Sequence, residues 1–167
     1  MKIRQGFVSN SSSSSFIVAF SEMPSSKEEL QKMLFGDEQS YFGYFEDQPY
    51  PTSMVAETVW NDMQNQCPND AVKIGDRIGG YFDDMPANPY DTLRHKDFSE
   101  KEWNKILDDY YEEVNRFTSE KMRQFMDKNK GCFIYVFEYS DNEGDYQSAL
   151  EHGRLFHRLV HLTASHH

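Results

Sequence analysis

The chain has 167 residues, with 17 Lys+Arg against 28 Asp+Glu and a formal net charge of −11. That length suits one domain with a core of its own, and an aromatic content of 15% argues against disorder by composition. The acidic balance argues against a binder that neutralises nucleic-acid phosphates, and no run of about 18 apolar residues offers a membrane span.

In chain order, residues 1–15 read as a serine-rich leader, and residues 16–167 as the globular body of one domain. The opening lacks the apolar stretch of about 7–15 residues that a secretory signal needs. Phe16–Phe20 is a continuous apolar run and predicts a buried strand. Ser26 and Glu29 have capping-box spacing, and Leu30, Met33 and Leu34 share a face, so a helix should follow Ser26 and stop at Gly36. The aromatic stretch 40–51, with its glycine and prolines, reads as an ordered loop held by packed rings. A second helix should begin at Thr52 or Ser53, carry Val55, Ala56, Val59, Trp60 and Met63, and fade over 64–69. Residues 71–80 offer a short strand before a loop over 83–89.

The clearest signal lies further on. Ser99 and Glu102 form a second capping box, and Phe98 and Trp103 a hydrophobic staple across it. Trp103, Leu107, Tyr110, Val114 and Phe117 recur at spacings of four and three, and Met122, Phe125 and Met126 continue the row to Gly131. This predicts one long helix, with Thr118-Ser119 as a place for a kink. After Gly131 the period changes, and Cys132–Tyr139 has the aromatic, β-branched density of a central strand. A turn over 141–145, a short helix over 146–152 closed by Gly153, and a strand over 159–163 complete an α+β domain. Its sheet has three or four strands packed against one long and two or three shorter helices.

The opening Arg4-Gln5-Gly6-Phe7-Val8-Ser9-Asn10-Ser11 through Ser15-Phe16-Ile17-Val18 resembles the start of uncharacterised bacterial and tailed-phage proteins that share a GFVSNSSSSSFIV-like head. The resemblance covers this segment alone, and it implies phage or bacterial origin without an activity. The same serines, small and rich in hydroxyls, admit two readings. One is a solvated leader; the other is an anion cradle of Arg4, Ser9, Asn10 and Ser11, although the spaced glycines and lysine of a phosphate-binding loop are missing.

Five of the six histidines fall within the last sixteen residues. His152, His157 and His161 stand near Asp141, Asp145 and Glu151, a donor set that suits a divalent transition metal. His157 and His161, four apart, share a face in either a helix or a strand. The competing reading is of ordinary hydrogen-bonded or solvated imidazoles, with His166-His167 either a native end or a tag remnant. The sixth position of an EF-hand loop is glycine, and here it is Tyr146. His161-Leu162-Thr163 resembles half of a two-histidine phosphoesterase site, but no second H-x-T or H-x-S is present.

Between Ser21 and Asp62 nine acids face two bases, so the negative charge concentrates towards the N-terminal half. The rings of Tyr41, Phe42, Tyr44, Phe45 and Tyr50 lie beside Glu46 and Asp47 and not beside the cations that a base-stacking platform uses. Asp108, Asp109, Glu112 and Glu113 on the long helix are diluted by Lys101, Lys105, Arg116 and Lys121, which weakens any imitation of DNA. Cys67 and Cys132 lack a CxxC companion and read as free thiols of a reducing compartment, the bacterial cytoplasm. The leading expectation is a non-enzymatic accessory module that offers an acidic, aromatic surface to a host or phage protein and needs no cofactor. The alternative is a metal-dependent hydrolase built on the C-terminal His/Asp/Glu cluster. The sequence leaves oligomeric state open.

Overall fold

In the computed structural model the described residues are 12–43, 49–70, 82–93 and 95–166. Their elements run β1 (Ser13–Phe20), α1 (Lys27–Phe35), β2 (Ser40–Tyr41), β3 (Tyr50–Pro51), α2 (Thr52–Gln64), α3 (Pro89–Leu93), α4 (Glu100–Lys128), β4 (Phe133–Ser140), α5 (Asp145–His152) and β5 (Val160–His166). A 3₁₀ turn over Asp141–Glu143 joins β4 to α5. The class is α+β, with a three-stranded antiparallel sheet in the order β4-β1-β5 and a two-stranded pair β2-β3.

The apolar run that marks β1 is buried because it is the central strand, paired on both sides. The strand begins three residues earlier than its apolar content suggests, so Ser13, Ser14 and Ser15 belong to the sheet and not to a leader. Ser14 and Ser15 are buried, and Ser14 Oγ bonds Ser165 Oγ across to β5 at 3.0 Å. Alternation then sorts the side chains between two cores. Phe16, Val18 and Phe20 join Tyr135, Phe137 and Tyr139 of β4 against α1, α2 and the end of α5. Ile17, Ala19, Ile134, Val136 and Ala164 face the other way, against Met122 and Phe125 of α4 and against Phe82.

The helix caps follow the sequence with one difference. Ser26 accepts from Glu29 N, but the Glu29 carboxylate reaches back to Ser25 N and Oγ, one residue beyond a capping box. Ser99 and Glu102 form the full reciprocal box, and the Phe98 and Trp103 rings stack at 5.9 Å. The long helix α4 is continuous through Thr118-Ser119 for 29 residues. Its C-terminal half covers the sheet, while Trp103 near its start meets Tyr90 of α3 at 5.0 Å. The stretch read as a loop over 40–51 has paired ends instead, Ser40 with Pro51 and Tyr41 with Tyr50. Cys67 and Cys132 are free thiols. The short strand expected over 71–80 lies outside the described residues. Among the described residues no helix is long and apolar enough to cross a membrane.

Candidate metal centre

The register of β1 with β4 pairs Ser13 with Ser140, which brings the next residues out, Ser12 and Asp141, side by side at the sheet end. Asp141 Oδ1 accepts from Ser12 N at 3.1 Å, and Oδ2 accepts from Ser12 Oγ at 2.9 Å. Ser140 Oγ donates to Ser12 O at 3.0 Å and so closes the junction. The helix α5 then turns back over the sheet and delivers its last two residues, Glu151 and His152, to the same place. His152 Nε2 is 3.3 Å from Ser12 Oγ and 3.6 Å from Glu151 Oε2. One ligand atom from each of Asp141, Glu151 and His152 lies within 4.8 Å of the others.

Gly153 fixes where α5 stops. A Cβ there would stand 1.8 Å from Tyr41 Oη, whose hydroxyl donates to Ala149 O at 2.9 Å. The glycine therefore ends the helix through close approach of a ring, with no left-handed backbone involved.

Glu151 is the unusual member. Its residue is 4% exposed and its side chain 0%. Among the described residues its two oxygens are the only buried side-chain polar atoms with no hydrogen-bond partner. Buried charges in proteins are paired or hold metals, because leaving one uncompensated costs several kcal/mol. The near imidazole at 3.6 Å is too far for a hydrogen bond, so the carboxylate keeps its lone pairs for another partner.

Of the six metal-ligating residues expected from the sequence, the fold brings together Asp141, Glu151 and His152. Asp145 is exposed in the first turn of α5 and lies outside that cluster. His157 and His161 also lie outside it, and they do not share one secondary-structure face: His157 sits in the turn before β5 and His161 within β5. Both line a cleft of about 510 Å³ whose wall includes Glu151 and His152. The proposed anion cradle of Arg4, Ser9, Asn10 and Ser11 lies outside the described residues. Ser12 and Arg154 were not legible as site residues. The serine needs the strand register to reach Asp141, and the arginine needs the turn after Gly153 to line the cleft.

Comparison of the chain with protein-family models, with characterised proteins and with solved structures finds no match. Any functional reading therefore rests on this geometry.

Proposed function

We propose that the chain is a divalent-metal-dependent hydrolase whose centre is Asp141, Glu151 and His152, with the Ser12 hydroxyl beside them. The observation that carries this reading is the buried Glu151 carboxylate, which has no hydrogen bond and stands next to a second carboxylate and an imidazole. Two carboxylates and one imidazole suit zinc, manganese or iron(II). Three protein ligands leave a coordination position for water, and a zinc ion lowers the pKa of that water to about 7. Two of the three ligands, Glu151 and His152, also line the cleft in which a substrate would sit. The opening segment supports a phage or bacterial origin, and the free thiols support action in the bacterial cytoplasm.

Elemental analysis after dialysis against zinc or manganese tests the centre. The expected result is one equivalent of cation per chain and a rise in Tm, both lost in Glu151→Gln with the circular-dichroism spectrum unchanged. No bound cation and no thermal shift with either metal overturns the reading.

A second reading, a protein-interaction module, is favoured by a separate observation. Tyr90, Phe98 and Tyr111 are exposed around the first half of α4, beside the exposed acids Glu100, Glu102, Asp108 and Glu112. A host or phage partner recognising that acidic, aromatic face would be lost on Tyr111→Ala and unaffected by Glu151→Gln. Retention by Tyr111→Ala with loss on Glu151→Gln would assign the partner to the metal centre instead.

A further inference from the structure

The cleft that opens beside Glu151 and His152 has a charge unlike that of the chain as a whole. It is lined by Arg154, His157 and His161 together with the hydroxyl-bearing Ser14, Thr163 and Ser165. The strand register explains the hydroxyls: Ser14 pairs with Ser165 and Phe16 with Thr163, so these side chains share one face of the β1-β5 pair. Arg154 forms no ion pair among the described residues, whereas Arg123 on α4 is bound by Glu120 and Asp127. In a chain of net charge −11, a cleft lined by Arg154 and two imidazoles, whose one lining carboxylate is the buried Glu151, is a place for an anion once a cation offsets that carboxylate.

The imidazoles are also oriented. His157 Nδ1 is 2.6 Å from Arg154 O, and His161 Nδ1 is 3.0 Å from Leu159 O. A carbonyl oxygen only accepts, so both Nδ1 atoms carry a hydrogen, and in the imidazolium form each Nε2 carries a second one that can be donated to an anion. A backbone carbonyl holding one nitrogen while the other is presented is the usual arrangement of a working histidine.

We propose that this cleft receives a phosphate monoester, an inference that rests on the metal-dependent reading above. The phosphoryl oxygens lie between the cation at Asp141/Glu151/His152 and the Arg154 guanidinium, whose planar donors match them. A cation held by Asp141, Glu151 and His152 would supply a bound water, whose oxygen would bond to phosphorus as its proton went to solvent. The P–O bond to the leaving group breaks with its electron pair, and the leaving oxygen takes the Nε2 proton of His157 or His161 in its imidazolium form, which solvent then restores. Inorganic phosphate and an alcohol result.

Calorimetric titration with inorganic phosphate tests the inference, on the full chain with zinc present and again without metal. The expected result is saturable binding, weakened about tenfold to a hundredfold by Arg154→Ala, the range of one charge-assisted contact. Metal content should stay at one equivalent in that variant. His157→Ala should lower turnover of an alkyl phosphate such as glycerol 2-phosphate more than that of p-nitrophenyl phosphate, whose leaving group departs without a proton, with phosphate affinity largely kept. Phosphate affinity unchanged by Arg154→Ala, or acetate bound as tightly as phosphate, overturns the phosphate assignment while leaving the metal centre standing. If no cation binds, the metal reading fails on its own. Arg154-dependent phosphate binding by the metal-free chain would then still support the anion cleft, and its absence would overturn it.

Discussion

The two flanks of the sheet's first face treat buried polar groups in opposite ways. On the α2 flank, among the described residues, the buried side-chain polar groups find partners. Tyr139 Oη donates to Asp62 Oδ2 at 3.0 Å, Val136 N donates to Gln66 Oε1 at 3.1 Å, and Ile134 N donates to Asn69 Oδ1 at 2.8 Å. Gln66 and Asn69, in the turn after α2, occupy the outer hydrogen-bonding edge of β4, which would otherwise present unpaired amides. On the α5 flank Glu151 is buried more deeply than Asp62 and has no hydrogen bond. A satisfied network rigidifies, while an unsatisfied one is costly and persists where something other than stability retains it. The first flank is architecture, and the second carries the proposed site.

Opposite signs on the two flanks give the sharpest test. Asp62→Ala leaves the Tyr139 hydroxyl buried without an acceptor and should cost about 1–3 kcal/mol in urea denaturation. Glu151→Met, of similar volume and uncharged, should stabilise the metal-free protein by about 1–4 kcal/mol, as hydrophobic replacement of buried charge often does. Two losses of similar size would erase the distinction between the flanks.

The alkaline limb of stability sharpens the same contrast. Burial, with Asp62 adjacent, pushes the Tyr139 hydroxyl well above its ordinary value of 10.0. The folded state thus holds that proton more tightly than the unfolded chain. The associated stability is present below pH 10 and declines as pH rises beyond it. Tyr139→Phe should flatten this decline in a pH series of Tm values. A decline of the same slope in the variant would show that the α2 flank does not hold this proton.

The smallest effect belongs to the surface, away from both flanks. Arg123, and after it Gln124, hold the Glu120 carboxyl down from 4.5 to about 2. A depressed folded value means stability present above pH 4.5 and lost as pH falls towards 2. Glu120→Gln should therefore remove a slight acid sensitivity of α4 helicity by circular dichroism while leaving Glu151-dependent metal uptake intact. Both groups are exposed, so the effect is screened by salt.

The elements were largely legible because their signals are local. The Ser99–Glu102 box, the apolar row from Trp103 to Met126 and the β-branched run after Gly131 each declare themselves within a few residues. The sequence missed the β2-β3 pairing and the first residues of β1. Two-residue strands carry no periodicity, and three serines have no apolar pattern although strands on both sides pair with them and bury Ser14 and Ser15.

The candidate site was half legible. Donor chemistry near the C-terminus was visible as residue types, and Glu151-His152 lies on a recognisable short helix. Which donors meet was decided by folding, since Ser12 reaches Asp141 across 129 positions through strand register alone. Composition and periodicity determined the class, the caps and the long helix, because those depend on neighbours along the chain. Burial of Glu151 and its meeting with Asp141 were decided by tertiary structure, because desolvation is a property of the packed whole.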